Sequence, residues 1–110
     1  MNDYYQHAHL HGFGTVSDAA PALGKKFFDW YGAVFADGAL PEREKALVAL
    51  GVALTIQCPY CIEAYSKDCL ARGVDSAQLT EILHVVTAIR GGASMVHGMQ
   101  MLDVVKRTAM

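Results

Sequence analysis

The sequence contains one run that is apolar on every side and that leads directly into a pair of cysteines. Between Ala46 and Ile56 the only polar side chain is that of Thr55, and Cys58 follows two residues later. A helix over this run presents apolar side chains in every direction, so it has to be covered in every direction. A chain of 110 residues has few other helices with which to do this. We therefore expect this helix to pack against another subunit as well.

The next segment, from Gln57 to Tyr65, carries two reactive side chains at a spacing that chemistry requires. Cys58 and Cys61 can share the first turn of a helix, where two thiols either form a disulfide or bind one metal ion. Cys58 is predicted to be the N-cap and Pro59 the first helical residue, since proline has no N–H group to leave unpaired there. The N-terminus of a helix is the positive end of its dipole, which favours a thiolate.

Apolar residues at three- and four-residue steps predict helices on either side of these two segments. One helix is expected from about residue 21 to residue 36. The apolar run then belongs to a second helix, which starts at Pro41. The cysteine helix is expected to reach about Arg72 and to stop at Gly73, because glycine is typical of the position after a helix.

Residues 75–78 have the pattern of a capping box that opens a fourth helix, and Gly91-Gly92 is expected to separate this helix from a last one. The inward face of the last helix is predicted to carry Met95, Val96, Met99, Leu102 and Val105. No run alternates with the period of two that a half-buried strand requires. The predicted fold is therefore all-α, a bundle of five to six helices with the cysteine pair at the N-terminus of a central helix.

The N-terminal segment shows no sustained period and contains the alternating His7, His9 and His11. We interpret residues 1–16 as a loosely ordered N-terminal arm whose aromatic residues could dock on the body. The alternatives are weak metal binding by the histidines and a polar mobile tail, which is common at termini. Residues 17–110 then form one helical domain, which is a common domain size.

Composition excludes several classes of protein. Apolar residues make up 53% of the chain, which is rich for a small monomer and favours an oligomer. The net charge is −2 without a basic run, so nucleic acid is not an expected partner. No segment has the ~18 consecutive apolar residues of a membrane span, and the N-terminus lacks the order of a signal peptide. We expect a cytoplasmic protein, in which three cysteines favour redox or metal chemistry over a disulfide framework.

In this helical context the chain resembles the carboxymuconolactone decarboxylase and AhpD-like alkylhydroperoxidase superfamily over roughly residues 20–105. The tetrapeptide Cys-Pro-Tyr-Cys also occurs in glutaredoxins, but there the helix follows a β-strand, whereas here an Ala- and Leu-rich helical segment precedes it. Segments 31–35, 44–47, 58–65 and 89–94 are similar to a small subgroup of peroxidase-like proteins associated with arsenosugar biosynthesis. The resemblance implies an AhpD-like helical bundle assembled as a trimer or hexamer.

The resemblance also implies residue roles. In AhpD-like enzymes the second cysteine, here Cys61, attacks a peroxide and the first, here Cys58, resolves it as a disulfide. A histidine four residues after the second cysteine and a glutamate twelve residues before the first transfer the proton. This sequence has Tyr65 and Ala46 there, and Glu44 lies about 200° further round the helix. Tyrosine is a poor base at neutral pH, so thiol–disulfide chemistry is expected to survive this departure better than peroxide reduction does.

Three other residues are candidates for the site. His97 is predicted to substitute for the missing histidine, from the same subunit or a neighbouring one, and His84 is the alternative. Either histidine could instead be an ordinary packed or surface residue. Cys69 shares a helix face with Tyr65 and is expected to be a small buried residue, with relay of an oxidised thiol as the alternative.

The expected function is that of a thiol redox protein without a cofactor. Cys58 and Cys61 would alternate between dithiol and disulfide, reducing a peroxide or an oxidised thiol partner at the expense of a thiol reductant, with Tyr65 and His97 assisting proton transfer. The same cysteines could instead bind zinc together with histidines, or an arsenical, since thiolates bind soft ions. A cofactor-free decarboxylase is a further alternative, although the superfamily's name-giving members act without this cysteine pair.

Overall fold

The computed structural model describes residues 7–109, and its regular elements in this range are helices joined by turns. Its elements are α1 (His7–His11), a 3-10 turn (Phe13–Thr15), α2 (Pro21–Phe35), α3 (Glu42–Ile56), α4 (Pro59–Ala71) and α5 (Ser76–Ala109). No strand occurs among the described residues, and the prediction of an all-α fold is confirmed. None of the described helices combines the length and apolar character needed to cross a membrane.

The long helices are fewer than the five to six predicted, because the last two predicted helices are one. Helix α5 continues through Gly91 and Gly92 for a total of 34 residues. Neither glycine has the positive φ with which Gly73, at 85°, ends the preceding helix. A glycine inside a helix costs about 1 kcal/mol relative to alanine, and the good helix formers on both sides of the pair outweigh that cost.

The predicted ends of the cysteine helix are confirmed. Cys58 is the N-cap of α4 and Pro59 is its first residue, and at the other end the C-cap Arg72 precedes Gly73.

The turn after α4 contains the predicted capping box. The Asp75 N–H group donates to Gln78 Oε1 at 3.0 Å, and the Gln78 N–H group donates to Asp75 Oδ1 at 2.9 Å. This reciprocal capping box starts α5 at the residue after Asp75 and directs the chain back along α3.

The core lies between α3, α4 and the first turns of α5. Ala46 and Leu50 of α3 pack there with Cys69 of α4 and with Val74 in the turn between α4 and α5. Leu79 and Ile82 of α5 cover this cluster from one side. The apolar run therefore buries one face within its own chain.

The opposite face of α3 and most of α5 have no cover within the chain. On α3, Val48, Val52 and Ile56 are 58%, 53% and 64% exposed. The residues predicted to face inward on the last helix are 53–79% exposed, so that prediction is wrong for the single chain: Met95, Val96, Met99, Leu102 and Val105. The reason is length, since 34 helical residues span about 50 Å and the 15 residues of α3 only about 22 Å.

The segment before α2 crosses this helix at Gly24, and this close approach generates a prediction. A Cβ atom added at Gly24 would lie 2.7 Å from Ser17 Cβ, whereas one added at Gly32 of the same helix would meet nothing within 4 Å. We predict that Gly24→Ala lowers the free energy of unfolding by about 1–3 kcal/mol, because Ser17 has to move. Gly32→Ala, the matched control, should raise it by up to about 1 kcal/mol. Urea unfolding followed by circular dichroism measures both changes, and stabilisation by both variants would contradict the close approach.

Candidate active site

Cys58 and Cys61 meet at the N-terminus of α4, where their Sγ atoms lie 3.0 Å apart. Cys58 has the extended backbone of an N-cap, with φ −92° and ψ 107°, and its Sγ accepts a hydrogen bond from the Cys61 N–H group at 3.4 Å. Both side chains are half-buried free thiols. A disulfide requires about 2 Å between the sulfurs, so the two thiols are about 1 Å from bonding distance.

The two thiols differ in how readily they lose a proton. The hydrogen bond from the Cys61 side chain lowers the pKa of Cys58, and the backbone N–H groups of Cys61 and Tyr60 add to the effect against an opposing contribution of burial. Burial and the hydrogen bond to Cys58 raise the pKa of Cys61 to about 11. The geometry therefore favours a thiolate at Cys58 that is stabilised by the Cys61 S–H group. The resemblance implied attack by Cys61, whereas the lower pKa of the two belongs to Cys58.

Tyr65 lies one turn after Cys61, and the hydroxyl groups of Tyr65 and Tyr31 of α2 share a hydrogen bond. The ring of Tyr65 stacks on Phe35, with the ring centroids 5.4 Å apart. Burial and the hydrogen bond with Tyr31 raise the pKa of Tyr65 above its ordinary value. Tyr65 is thus a neutral hydrogen-bonding group beside Cys61 and has no capacity to act as a base near neutral pH.

Ala46 stands where AhpD-like enzymes have the glutamate of the relay, and this position lies in the core. Ala46 is only 1% exposed and packs with Leu50 and Cys69, so a carboxylate there would be buried among apolar groups. Glu44 is exposed on another part of α3. The histidine–glutamate relay is therefore replaced by a tyrosine and an alanine, and the Tyr31–Tyr65 pair occupies this side of the site.

A cavity of about 650 Å³, which we call the arm-side cavity, is formed by α1, the 3-10 turn, α2 and the start of α4. Both cysteines line it, together with the rings of Tyr31, Tyr60 and Tyr65. The N-terminal segment contributes the opposite wall with Ala8, His9, Gly12, Phe13, Thr15 and Val16. A ligand of moderate size would fit here, since small-molecule pockets in proteins are typically about 300–1,000 Å³.

The N-terminal segment is attached to the body by specific contacts. The ring of Phe13 packs edge-on against Phe27, Phe28 and Tyr31 of α2, with centroid distances of 6.3, 5.2 and 6.1 Å. His9 Nδ1 lies 3.2 Å from the Tyr60 hydroxyl, within hydrogen-bonding distance. The N-terminal arm thus docks on the body through Phe13, and part of it lines the arm-side cavity.

A second cavity of about 360 Å³, which we call the α3-side cavity, opens on the other side of Cys61. It lies between α3 and the end of α2, and its walls include the exposed Val48, Val52 and Ile56. Lys45 also borders this cavity, where its Nζ donates hydrogen bonds to the carbonyls at the end of α2 at 2.7 Å. Cys61 is thus reached from two sides and Cys58 from the arm side.

The other sequence-predicted residues lie elsewhere in the chain. His97 and His84 are exposed on α5, and neither lines the arm-side or the α3-side cavity. Cys69 is 0% exposed, which confirms that it is a buried small residue, and burial raises the pKa of its thiol. The chain does not bring His97 to the cysteines, so a role for this residue would require a neighbouring copy.

Within residues 7–109, no three or more histidine, cysteine, aspartate or glutamate side chains come together as metal ligands do. A structural zinc site generally has four ligands, and the cysteine pair supplies two. The zinc alternative therefore finds no further ligand beside the pair in the described part of the chain; the side chain of His7 lies outside the described residues.

Three of the residues found at the site, namely His9, Tyr31 and Tyr60, were not assigned to it from the sequence. Tyr60 could have been singled out, since it lies between the two cysteines in the sequence. No local signal marks Tyr31, because its partner Tyr65 lies on another helix. His9 carried a signal in the alternation of three histidines, but nothing in that pattern indicated which of them would reach the cysteine helix.

Fold and site together define a class, that of all-helical proteins with a dithiol at the start of a central helix. Residues 21–103 match the carboxymuconolactone decarboxylase family. The chain belongs to this family.

Two curated relatives and one solved structure extend this comparison. The chain is 37% identical over 91 residues to "Uncharacterized protein 4 in cox locus" of Paracoccus denitrificans, covering 83% of this chain and 82% of that protein. It is 28% identical over 90 residues to an uncharacterized protein of Cupriavidus necator, covering 82% and 80%. A crystal structure of a protein from Methanobacterium thermoautotrophicum is similar to 76% of this chain and 94% of its own, with a TM-score of 0.71 and 26% identity.

The unequal acidity of the two thiols generates a prediction. At neutral pH iodoacetamide should modify Cys58 before Cys61, because the thiolate is the reactive form. With its pKa lowered, Cys58 should keep this reactivity at pH values below the usual thiol pKa of about 8.5. Cys61→Ala removes the main hydrogen bond to Cys58, so the pKa of Cys58 should rise and its alkylation at pH 7 should slow several-fold. Cys61→Ser retains a donor and is the matched control. Peptide mass spectrometry across pH measures the rates, and faster alkylation of Cys61 would contradict the assignment.

Proposed function

We propose that this protein is a thiol oxidoreductase in which Cys58 attacks an oxidised substrate and Cys61 resolves the product as a disulfide. The observation that carries the proposal is the contact of 3.0 Å between two thiols whose pKa values are shifted in opposite directions. A nucleophile needs the low pKa and a resolving thiol needs to be close. The arm-side cavity supports the proposal, because it offers a substrate access to Cys58.

The reaction can be written for each of two substrate classes. With a hydroperoxide, the Cys58 thiolate attacks the terminal oxygen, the O–O bond breaks, and the alkoxide takes a proton and leaves as an alcohol. The Cys61 sulfur then attacks the sulfenic acid at Cys58, so that a disulfide forms and water leaves. With a disulfide substrate, Cys58 forms a mixed disulfide, which Cys61 resolves while the substrate departs as two thiols. An external thiol reductant returns the pair to the dithiol.

The two classes make different demands on the site. Breaking the O–O bond produces a strongly basic alkoxide, so a proton donor accelerates the step by roughly 10²–10⁴-fold. Tyr65 supports substrate binding as a neutral hydrogen-bonding group beside Cys61. The absence of the AhpD-like relay makes disulfide reduction the less demanding activity, and peroxidase-like turnover depends on another donor. We place this chemistry in the cytoplasm, where reducing conditions maintain dithiols.

A second candidate function uses the same two sulfurs as ligands. Two cysteine sulfurs 3.0 Å apart are suited to bind a soft ion such as trivalent arsenic once both thiols lose their protons to it. Such binding would occupy both sulfurs and block the redox cycle.

We also propose that the protein functions as a homo-oligomer whose interface includes the exposed face of α3. The chain exposes 8333 Å² of surface, whereas a folded monomer of 110 residues exposes about 6,000 Å². Its radius of gyration is 19.2 Å, against about 13 Å for a compact domain of this length. The excess of roughly 2,300 Å² per chain is of the size that obligate interfaces bury.

The exposed apolar residues of α3 and α5 support a second copy of the chain as the partner that covers the exposed face of α3. Val48, Val52 and Ile56 form an exposed apolar row on α3, and α5 carries apolar residues over the half that extends past the body. Neither surface reaches the other within one chain, whereas two copies can bring them together. The row also forms a wall of the α3-side cavity, so a second copy seated on it would close the approach to Cys61 from this side.

The redox proposal predicts distinct effects of the three cysteines. Cys58→Ser should abolish hydroperoxide- or disulfide-dependent consumption of a thiol reductant, because the nucleophile is lost. Cys61→Ser should stop the internal disulfide and leave a single reaction at Cys58, trapped as a sulfenic acid or mixed disulfide. Cys69→Ser is the control and should retain turnover, since its thiol is buried. Reductant oxidation and intact-protein mass spectrometry measure these outcomes, and full turnover by Cys58→Ser refutes the proposal.

The interface proposal predicts that Val52→Glu weakens the assembly, because it places a charge among apolar side chains at the interface. Ala22→Glu adds the same charge at an exposed position in the first turn of α2 and should leave the assembly intact. Light scattering after size exclusion measures both masses. A monomeric mass for the unmodified protein would contradict the proposal.

A further inference from the structure

The site lacks the histidine and glutamate that AhpD-like enzymes use, yet it contains a histidine from outside the family region. His9 lies before residue 21, where the match to the family begins, and it lines the arm-side cavity with both cysteines. We propose that His9 is the proton donor for the group that leaves when Cys58 is oxidised. This inference rests on the proposed redox function and adds a residue of the N-terminal segment to its mechanism.

His9 contacts Tyr60, one of the two residues between the cysteines. Its Nδ1 atom lies 3.2 Å from the Tyr60 hydroxyl, and the two rings are tilted by 37° with centroids 6.2 Å apart. Tyr60 is part of the first turn of α4, so its position relative to both sulfurs is set by the helix. With Nδ1 engaged by Tyr60, Nε2 is the ring nitrogen that transfers the proton.

The N-terminal segment is anchored firmly enough to present His9 in a defined place. Phe13 packs against three aromatic rings of α2, and the Thr15 hydroxyl donates to the Gly12 carbonyl at 2.7 Å. The Gly12 N–H group donates to the Ala8 carbonyl at 3.0 Å, which ties the end of α1 to the turn. His9 therefore approaches the cavity from a segment that is attached on both sides of Gly12.

The other groups around the cavity do not supply an equivalent donor. Its titratable lining consists of His9, the thiols of Cys58 and Cys61 and three tyrosine hydroxyls, and no carboxylate, lysine or arginine is among the described lining residues. Tyr65 is engaged by Tyr31, and its proton is held more tightly than in a free phenol. Imidazole is the side chain that gains and releases a proton near neutral pH, which suits it to this step.

The Cys58 thiolate attacks the terminal oxygen of a hydroperoxide, the S–O bond forms and the O–O bond breaks. The leaving alkoxide takes the proton from His9 Nε2, which is replaced from solvent. When the substrate is an aromatic disulfide, the Cys58 thiolate forms a new S–S bond as the S–S bond of the substrate breaks. The aromatic thiolate that leaves is stable and needs no proton.

This contrast between leaving groups supplies the test. Single-turnover oxidation of the dithiol is measured with cumene hydroperoxide and with 5,5′-dithiobis(2-nitrobenzoate). His9→Gln should slow the reaction with the hydroperoxide at least tenfold, the low end of what a general acid contributes, and should change the reaction with the disulfide less than twofold. His11→Gln is the matched control, because His11 is exposed on the same helix and does not line the cavity, and neither rate should change.

Tyr60→Phe provides a second, independent variant. It removes the hydroxyl group that orients the imidazole, so it should slow the hydroperoxide reaction of the unmodified protein but not that of His9→Gln. Equal slowing of both substrates by His9→Gln would assign His9 a structural role, and unchanged rates would assign it none; either result overturns the inference. If the unmodified dithiol reacts with neither substrate, the proposed redox function itself is overturned.

Discussion

The site depends on a hydrogen bond between two thiols at the start of one helix. Pro59 begins α4 immediately after Cys58, which leaves the Cys58 sulfur at the N-cap, where backbone N–H groups and the Cys61 thiol converge on it. The same contact that favours a thiolate at Cys58 keeps the proton on Cys61. In our proposal, Cys58 is therefore the nucleophile and Cys61 is the resolving thiol. In our proposal, this is how the pair would carry out redox chemistry without the AhpD-like relay.

Three parts of the chain besides the helix that carries the pair form its environment. Helix α2 contributes Tyr31, whose hydroxyl group engages Tyr65. The N-terminal segment contributes His9 and one wall of the arm-side cavity. The exposed row on α3 forms a wall of the α3-side cavity, which connects access to Cys61 with subunit assembly in our proposal. Small changes in the N-terminal segment or in the interface would thus act on the same two sulfurs.

Much of this arrangement was predictable, and the failures have physical causes. Local signals predicted the all-α fold, Cys58 as N-cap and the capping box before α5, because each depends on neighbouring residues. The Gly91-Gly92 break was wrong, since a helix tolerates glycine where its flanks are strong. The inward face of the last helix was wrong for one chain, because periodicity reveals an apolar face but not which chain covers it. The contacts of His9 with Tyr60 and of Tyr31 with Tyr65 join distant segments, and no local pattern encodes them.

The central claim is that Cys58 and Cys61 form a reversible redox couple, and a redox titration tests it most directly. The purified protein is equilibrated in glutathione buffers of increasing oxidising strength, quenched with acid and an alkylating agent, and mapped by mass spectrometry. We predict one cooperative two-electron transition that produces a Cys58–Cys61 disulfide, leaves Cys69 as a thiol and reverses when the buffer is reduced. Two thiols that remain unpaired across the whole range, or a disulfide that involves Cys69 instead, would contradict the account.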